Sequence, residues 1–262
     1  MPDPFKLLFV ADIVGKPGRE ALTAILPDLK REFRPSLVIV NGENSAGGFG
    51  LTAATIEEMK SAGAEVITTG NHVFDQRDFV PVLPEQERVI RPANYPPGAP
   101  GVGHCVVDAD GEKVLVLNLM GRLFMTDTDD PFRAADAILA GAPEHKISVC
   151  DMHGEATSEK VAMGWYLDGR VSAVVGTHTH VATADNRVLP GGTAYVSDVG
   201  MVGPRDSVIG MEVKGVLRRF LTGVPQRWKV AEGPVTFNSV LITIDRLTGR
   251  ALTIQRIDRQ HN

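Results

Sequence analysis

The sequence predicts an α/β fold organised on a parallel sheet, and three observations carry that prediction. Short, apolar, β-branched runs recur at residues 6–11 (KLLFVA), 37–40 (LVIV) and 65–69 (EVITT), the pattern of strands buried on both faces. Helix-length stretches separate them, giving β-α-β-α-β, whose crossovers are right-handed. Each run also ends in a polar cluster, and open α/β sheets carry their sites beyond the carboxyl ends of the strands.

Taken in order, the first run ends at Asp12 and is followed by the turn Gly15-Lys16-Pro17-Gly18. Pro17 suits the first turn of a helix that extends to about residue 33. The second run ends in Asn41-Gly42-Glu43-Asn44 and the glycine-rich loop Gly47-Gly48-Phe49-Gly50. Thr52 then caps a helix to about residue 62. The third run ends in Gly70-Asn71-His72. Residues 81–103 contain six prolines and read as an extended loop. Asp110-Gly111 between apolar runs at 105–108 and 114–117 signals a hairpin. Residues 131–140 read as a helix, 147–150 as a strand and 155–167 as a helix. Another strand covers the run from Val171 to Val175. It leads into Gly176-Thr177-His178-Thr179-His180, where extended backbone would turn both imidazoles to one crevice. A short strand at 195–197, a helix at 212–221 and a hairpin of 238–244 with 251–257 complete the chain. The antiparallel tail is expected to form a second sheet packed on the first. No repeat or composition shift divides the sequence, so one domain spanning residues 1–262 is expected.

The chain has 262 residues, 43% of them apolar and 23% charged, enough to bury a sizeable core. Its 27 Lys and Arg against 32 Asp and Glu give a net charge of −5. That balance argues against charge-driven binding to bulk nucleic acid and still permits small anionic substrates. The two cysteines, Cys105 and Cys150, read as buried thiols acting as small hydrophobes. The first residues enter a strand without a signal-peptide core, and no stretch approaches the ~18 apolar residues of a membrane span. A cytoplasmic protein is expected.

Five polar clusters therefore stand at strand ends: Asp12; Glu43 with Asn44; Asn71 with His72; His153; and His178 with His180. Convergence on one rim would make a metal site. The candidate set exceeds what one centre can use, which points to two ions with a bridging carboxylate. Mixed nitrogen and oxygen ligation without thiolate suits iron, manganese, zinc or a mixed pair. Two ions about 3.5–4 Å apart are the arrangement that holds a phosphoryl group and generates a hydroxide. Gly15-Lys16 is not a Walker A motif, because Pro17 stands where Ser or Thr is required. Lys16 and Arg19 at the first helix start, and the loop Arg205-Asp206-Ser207, are further candidates for substrate contact. The C-terminal arginines read as a solvated face.

The ordered set Asp12, Gly42-Glu43-Asn44, Gly70-Asn71-His72, His153 and Gly176-Thr177-His178-Thr179-His180 resembles the calcineurin-like metallophosphoesterase superfamily. Asp12-Ile13-Val14-Gly15-Lys16, Asn41-Gly42-Glu43-Asn44 and the Gly-Thr-His-Thr-His run together resemble its YmdB-like branch. The superfamily's usual Asp-x-His opening lacks its histidine here, and its usual bridging aspartate is Glu43. Both are features of that branch, with Asn44 filling the place of the missing histidine. His153 is followed by Gly154 rather than the Ala expected there.

The resemblance implies a four-layer α/β/β/α sandwich and a dinuclear phosphodiesterase acting on 2′,3′-cyclic nucleotides or related, RNA-derived phosphodiesters. It implies that one metal is held by Asp12, Asn44 and His180, the other by Asn71, His153 and His178, with Glu43 bridging. Two divalent or mixed-valence transition-metal ions are implied, iron first, with manganese or zinc as alternatives. A hydroxide between the metals would attack phosphorus, and His72 would act as general acid, oriented by Asp75 if that carboxylate is not simply solvated. Two other readings stay open: a regulatory protein that binds a nucleotide or partner with vestigial hydrolysis, and a phosphomonoesterase. A homo-oligomer is expected, and no substrate-binding residue is assigned.

Overall fold

The computed structural model describes residues 3–262. In chain order, β1 (Phe5–Val10) and the two-residue β2 (Asp12–Ile13) precede α1 (Gly15–Phe33), then come β3 (Leu37–Asn41), α2 (Ala53–Ala62), β4 (Val66–Thr68) and β5 (Val89–Ile90). The hairpin β6 (His104–Ala109) and β7 (Glu112–Met120) leads to α3 (Pro131–Gly141), β8 (Ile147–His153), α4 (Thr157–Tyr166) and β9 (Ala173–Thr177). The remainder is β10 (Arg187–Val188), β11 (Ala194–Val196), β12 (Met201–Pro204), α5 (Val213–Thr222), β13 (Val235–Phe237), β14 (Ser239–Ile244), β15 (Ala251–Arg256) and β16 (Arg259–His261).

These strands make two six-stranded sheets, ordered β15-β14-β1-β3-β4-β5 and β10-β11-β9-β8-β7-β6, and a four-stranded sheet ordered β16-β13-β12-β2. Three cores separate four layers. Phe5, Leu7 and Phe9 of β1 pack across the interface on Val114, Val116, Val149 and Val175 of the second large sheet. Leu8 and Val10, alternating to the other face, pack on Leu22 and Leu26 of α1 and on Ile56 and Met59 of α2. Leu115, Leu117, Cys150 and Val174 face Ala135 and Ile138 of α3 and Met163 of α4. Both large sheets are thus covered on both faces, which is why their central strands read as unbroken apolar runs rather than alternating ones.

Local signals explain several boundaries. Thr52 accepts from the Thr55 amide, and the Thr55 hydroxyl closes the capping box on α2. Asp130 accepts from the amides of Phe132 and Arg133 at the start of α3. Asp110 and Gly111 both have positive φ, 48° and 81°, the backbone of a two-residue turn matching strand twist.

Two expectations need correction, and one sheet was not foreseen. The closing hairpin does not found a second sheet: β14 pairs antiparallel with β1 and extends the first sheet. The second large sheet is built from residues 104–196 instead, because sequence fixes a hairpin's internal pairing but not the edge it joins. The proline-rich stretch is not wholly loop, since β5 pairs with β4 as an edge strand and Leu83–Glu85 forms a 3₁₀ turn. The small sheet escaped the sequence reading because its strands are two to four residues long, too short for periodicity to be counted.

Candidate metal centre

The parallel strands β3, β4, β8 and β9 end on one rim, and their C-terminal residues meet where the two large sheets face each other. Asp12 reaches it from β2, Glu43 and Asn44 from beyond β3, Asn71 and His72 from beyond β4, His153 from the end of β8, and His178 and His180 from beyond β9. Every residue singled out for metal ligation or proton transfer is on this rim.

Glu43 lies at its centre, fully buried. One carboxylate oxygen is 3.0 Å from His153 Nε2 and accepts from the Asn44 side-chain Nδ2 at 3.2 Å, and the other accepts from the His72 backbone N–H at 3.1 Å. Gly70 makes this approach possible, because a Cβ there would sit 2.2 Å from His153 Nε2 and 2.4 Å from Glu43 Oε2. His153 Nε2 is also 3.0 Å from Asn71 Oδ1 and 3.1 Å from His178 Nδ1. Ligand atoms of Glu43, His153 and His178 fall within 4.8 Å of one another.

The second half of the rim is assembled from Asp12, Asn44 and His180. His180 Nε2 is 3.0 Å from the Asn44 side-chain amide and 3.7 Å from Asp12 Oδ1. Asp12 is fully buried, and its Oδ1 has no hydrogen-bond partner. An unpaired carboxylate oxygen without water costs several kcal/mol. A cation beside it removes that penalty, and imidazole, amide and carboxylate side chains are ligands that hard or borderline transition metals accept. The residues fit the metals that the sequence implied.

Hydrogen bonds beneath the rim fix which nitrogen each imidazole offers. His153 Nδ1 donates to Thr177 Oγ1 at 2.9 Å, and that hydroxyl donates to Asp151 at 2.6 Å. Asp151 also accepts from Thr68 and Asn41. The chain of donors engages Nδ1 and leaves His153 Nε2 as the nitrogen that faces the rim, the outer-shell device that orients metal-bound histidines. His180 Nδ1 donates to the Ile209 carbonyl at 2.9 Å, which likewise frees Nε2. Ile209 has φ of 49°, a left-handed conformation that is costly for a β-branched residue. His178 Nε2 lies 3.3 Å from Glu155 Oε2, turning Nδ1 inward. Lys160, fully buried, reaches from α4 to Asp198 at 2.8 Å, and Asp198 accepts from the Thr179 amide and hydroxyl. That buried pair clamps the loop carrying both histidines.

His178 and His180 do not share a crevice through extended backbone. Both have positive φ, 101° and 62°, so the chain leaves β9 as a left-handed loop and delivers one imidazole to each half of the rim. Strand alternation cannot foresee this, because it stops applying where β9 ends at Thr177.

The electrostatics follow from burial. Burial alone would lower the His153 pKa, but the adjoining Glu43 carboxylate overrides it and raises the group to about 9. Burial would raise Glu43, yet His153 holds it below the ordinary carboxylate range. Burial, seconded by the His153 charge, pushes His178 down to about 3. Burial raises Asp12 well above its ordinary value, against the pull of His153.

His72 stands apart from the inner cluster. Its Nδ1 is 2.7 Å from Asp75 Oδ2, its ring packs edge-on against Phe49 at 4.9 Å, and its side chain is 27% exposed. Asp75 is therefore a partner of His72 and not merely a solvated carboxylate. The other phosphate-contact candidates are elsewhere: Lys16 pairs with Glu20, Arg19 with Glu58 and the Ser45 carbonyl, and Arg205 with Asp206 and Gln260. Ser207 contributes indirectly, accepting from Gly210 N–H in the loop that presents Ile209.

Sequence reasoning missed Asp151, Thr177, Lys160, Asp198, Glu155 and Ile209. Asp151 did leave a signal, a carboxylate inside the apolar strand ISVCDMH. Lys160 left none, since a lysine on a helix is ordinarily solvated.

A four-layer sandwich with this rim defines a hydrolase of the metallophosphoesterase class. The family model for YmdB-like proteins matches residues 8–257, and the chain belongs to that family. It is 47% identical over 253 residues to a Bacillus subtilis 2′,3′-cyclic-nucleotide 2′-phosphodiesterase, covering 96% of each chain. Two solved structures are similar throughout. A hypothetical protein from Thermus thermophilus has a TM-score of 0.93 and 43% identity, over 98% of this chain and 100% of that one. A phosphatase from Mycoplasma pneumoniae has a TM-score of 0.94 and 33% identity, over 99% and 95%. Among the described residues, no helix is long and apolar enough to cross a membrane.

Proposed function

We propose that this chain hydrolyses 2′,3′-cyclic nucleotides, opening the bond between phosphorus and the 2′-oxygen to leave a nucleoside 3′-phosphate. The observation that carries the reading is Glu43, a buried carboxylate beside two groups of candidate ligands, Asp12, Asn44 and His180 in one and Asn71, His153 and His178 in the other. Its substrate comes from the likeness to the Bacillus subtilis enzyme.

We assign two transition-metal ions to these groups, iron foremost and manganese or zinc as alternatives, with Glu43 shared. When bound, such ions supply Lewis-acid charge neutralisation and a nucleophilic hydroxide at neutral pH. His72 is the general acid: its Nδ1 proton is held by Asp75, and a proton on Nε2 passes to the departing 2′-oxygen. The edge contact with Phe49 fixes the ring plane during that transfer. Asp151 and Thr177 hold His153 in one tautomer, and Ile209 does the same for His180.

Elemental analysis and hydrolysis of 2′,3′-cyclic AMP beside a phosphomonoester, on one purified preparation, test the proposal. About two transition-metal ions per chain with turnover of the diester is the expected result. Two ions without turnover of either substrate would move the reading to a binding protein, and absence of transition metal would refute the centre.

A further inference from the structure

The cavity above the rim, about 570 Å³, is chemically two-sided. Part of its lining is the polar set from Glu43 to His180, its floor, and part is an apolar wall that includes Val208, Ile209, Met211, Val216, Phe220 and Trp228. A floor that performs phosphoryl chemistry does not account for such a wall. Phe220 is 80% exposed and Ile209 48% exposed, large apolar surfaces left open to water at considerable cost, and exposed apolar area beside a polar site ordinarily marks where a ligand lies.

The wall is built rather than incidental. Trp228 is steadied by Arg219, whose guanidinium carbon lies 5.3 Å from the ring centroid. Glu212 N–H donates to the Lys229 carbonyl at 2.9 Å, tying the start of α5 to the segment that carries the tryptophan. Met211 reaches the loop bearing Phe49, where a Cβ on Gly48 would be 2.9 Å from its terminal methyl. Phe49 in turn packs on His72, so the apolar wall is continuous with the proton donor at the leaving group.

We infer that this wall is the nucleobase subsite, with Phe220 and Trp228 as stacking surfaces. This rests on the cyclic-nucleotide reading above. Ribose joined to a cyclic phosphate on the floor carries its base away from the ions, toward a surface that needs planarity and apolar area. Among the described residues, no Lys or Arg lines the cavity, and the nearby Arg219 is engaged on the Trp228 ring, so the lining itself offers no counter-charge to a second phosphate. An aromatic base satisfies it without one, because every base presents a π-face. The wall brings aromatic faces and few side-chain hydrogen-bonding groups, so it reads stacking area rather than base edges. Purines are therefore favoured over pyrimidines, and adenine and guanine are treated alike.

The test compares 2′,3′-cyclic AMP with methyl ribofuranoside 2′,3′-cyclic phosphate, the same diester without a base, in the metal-loaded enzyme. Wild type should prefer the nucleotide in kcat/KM. Phe220→Ala and Trp228→Ala should each cut that preference roughly tenfold through KM, the scale of one lost stacking contact, and Trp228→Phe should keep most of it. In a Trp165→Phe background, adenosine 3′-phosphate should quench the remaining tryptophan fluorescence and ribose 3-phosphate should not. Equal turnover of both diesters by wild type would overturn the subsite and leave the proposed function standing. Equal losses on both diesters in the alanine variants, or no quenching, would also overturn it. Turnover of neither diester would remove the functional reading and the subsite together.

Discussion

The two halves of the rim are held by different means. Around His153 the support is a relay of side chains: Thr177, Asp151, Thr68 and Asn41 form a closed and fully buried network. Around His180 the support is backbone, the carbonyl of a strained isoleucine in a surface loop, and Asp12 presents an oxygen with no partner. One half is prearranged by the sheet. The other is completed by a loop, and would depend more on an ion bound there.

The largest effect should come from the residue that serves neither half. His72→Ala should lower turnover about 10²- to 10⁴-fold while leaving metal content nearly unchanged, measured by steady-state kinetics and elemental analysis on one sample. Loss of both metals in that variant would place His72 among the ligands. Next is the clamp common to both halves. Lys160→Met leaves Asp198 buried without its cation and should cost about 3–5 kcal/mol of stability, read as a lowered urea midpoint.

Asp151→Asn separates the halves. It should weaken metal binding around His153 by about 10- to 100-fold and leave the affinity around His180 within about twofold, resolved by stepwise metal titration. Equal weakening of both would erase the distinction. The mildest effect is on pH. Without metal, His153 keeps a proton up to about pH 9 because Glu43 stabilises it, and a metal must displace that proton. Affinity in this half should therefore rise by about tenfold per pH unit from neutrality and level off near pH 9. Calorimetry in buffers of different ionisation enthalpy should detect the released proton.

The legibility of the sequence divides instead between the candidate ligands and what supports them. The candidate ligands of both halves could be read because each follows an apolar run, and strand ends on an α/β sheet converge by topology. The first β-α-β-α-β unit and the hairpin at Asp110-Gly111 were legible for equally local reasons. The relay behind His153 was not, because Thr177 and Thr68 look like ordinary strand residues until β8 and β9 are paired, His153 opposite Thr177. Ile209 and the apolar wall belong to a loop and to α5, whose Val213, Leu217, Phe220 and Leu221 remain largely exposed. An amphipathic helix ordinarily announces a buried face, and nothing local says that this one borders a cavity. The place of the closing hairpin was hidden for a related reason: β14 could have paired with any open edge, and the packing of Phe9 against Val240 in one core is a long-range choice.

The most direct measurement is the metal content of Glu43→Gln beside wild type, by elemental analysis after identical purification. Glu43 is the one carboxylate assigned to both halves. The account predicts about two transition-metal ions per chain in wild type and well under one in the variant, because both halves lose their shared ligand. Two ions retained in Glu43→Gln would contradict the bridge and, with it, the dinuclear centre proposed above.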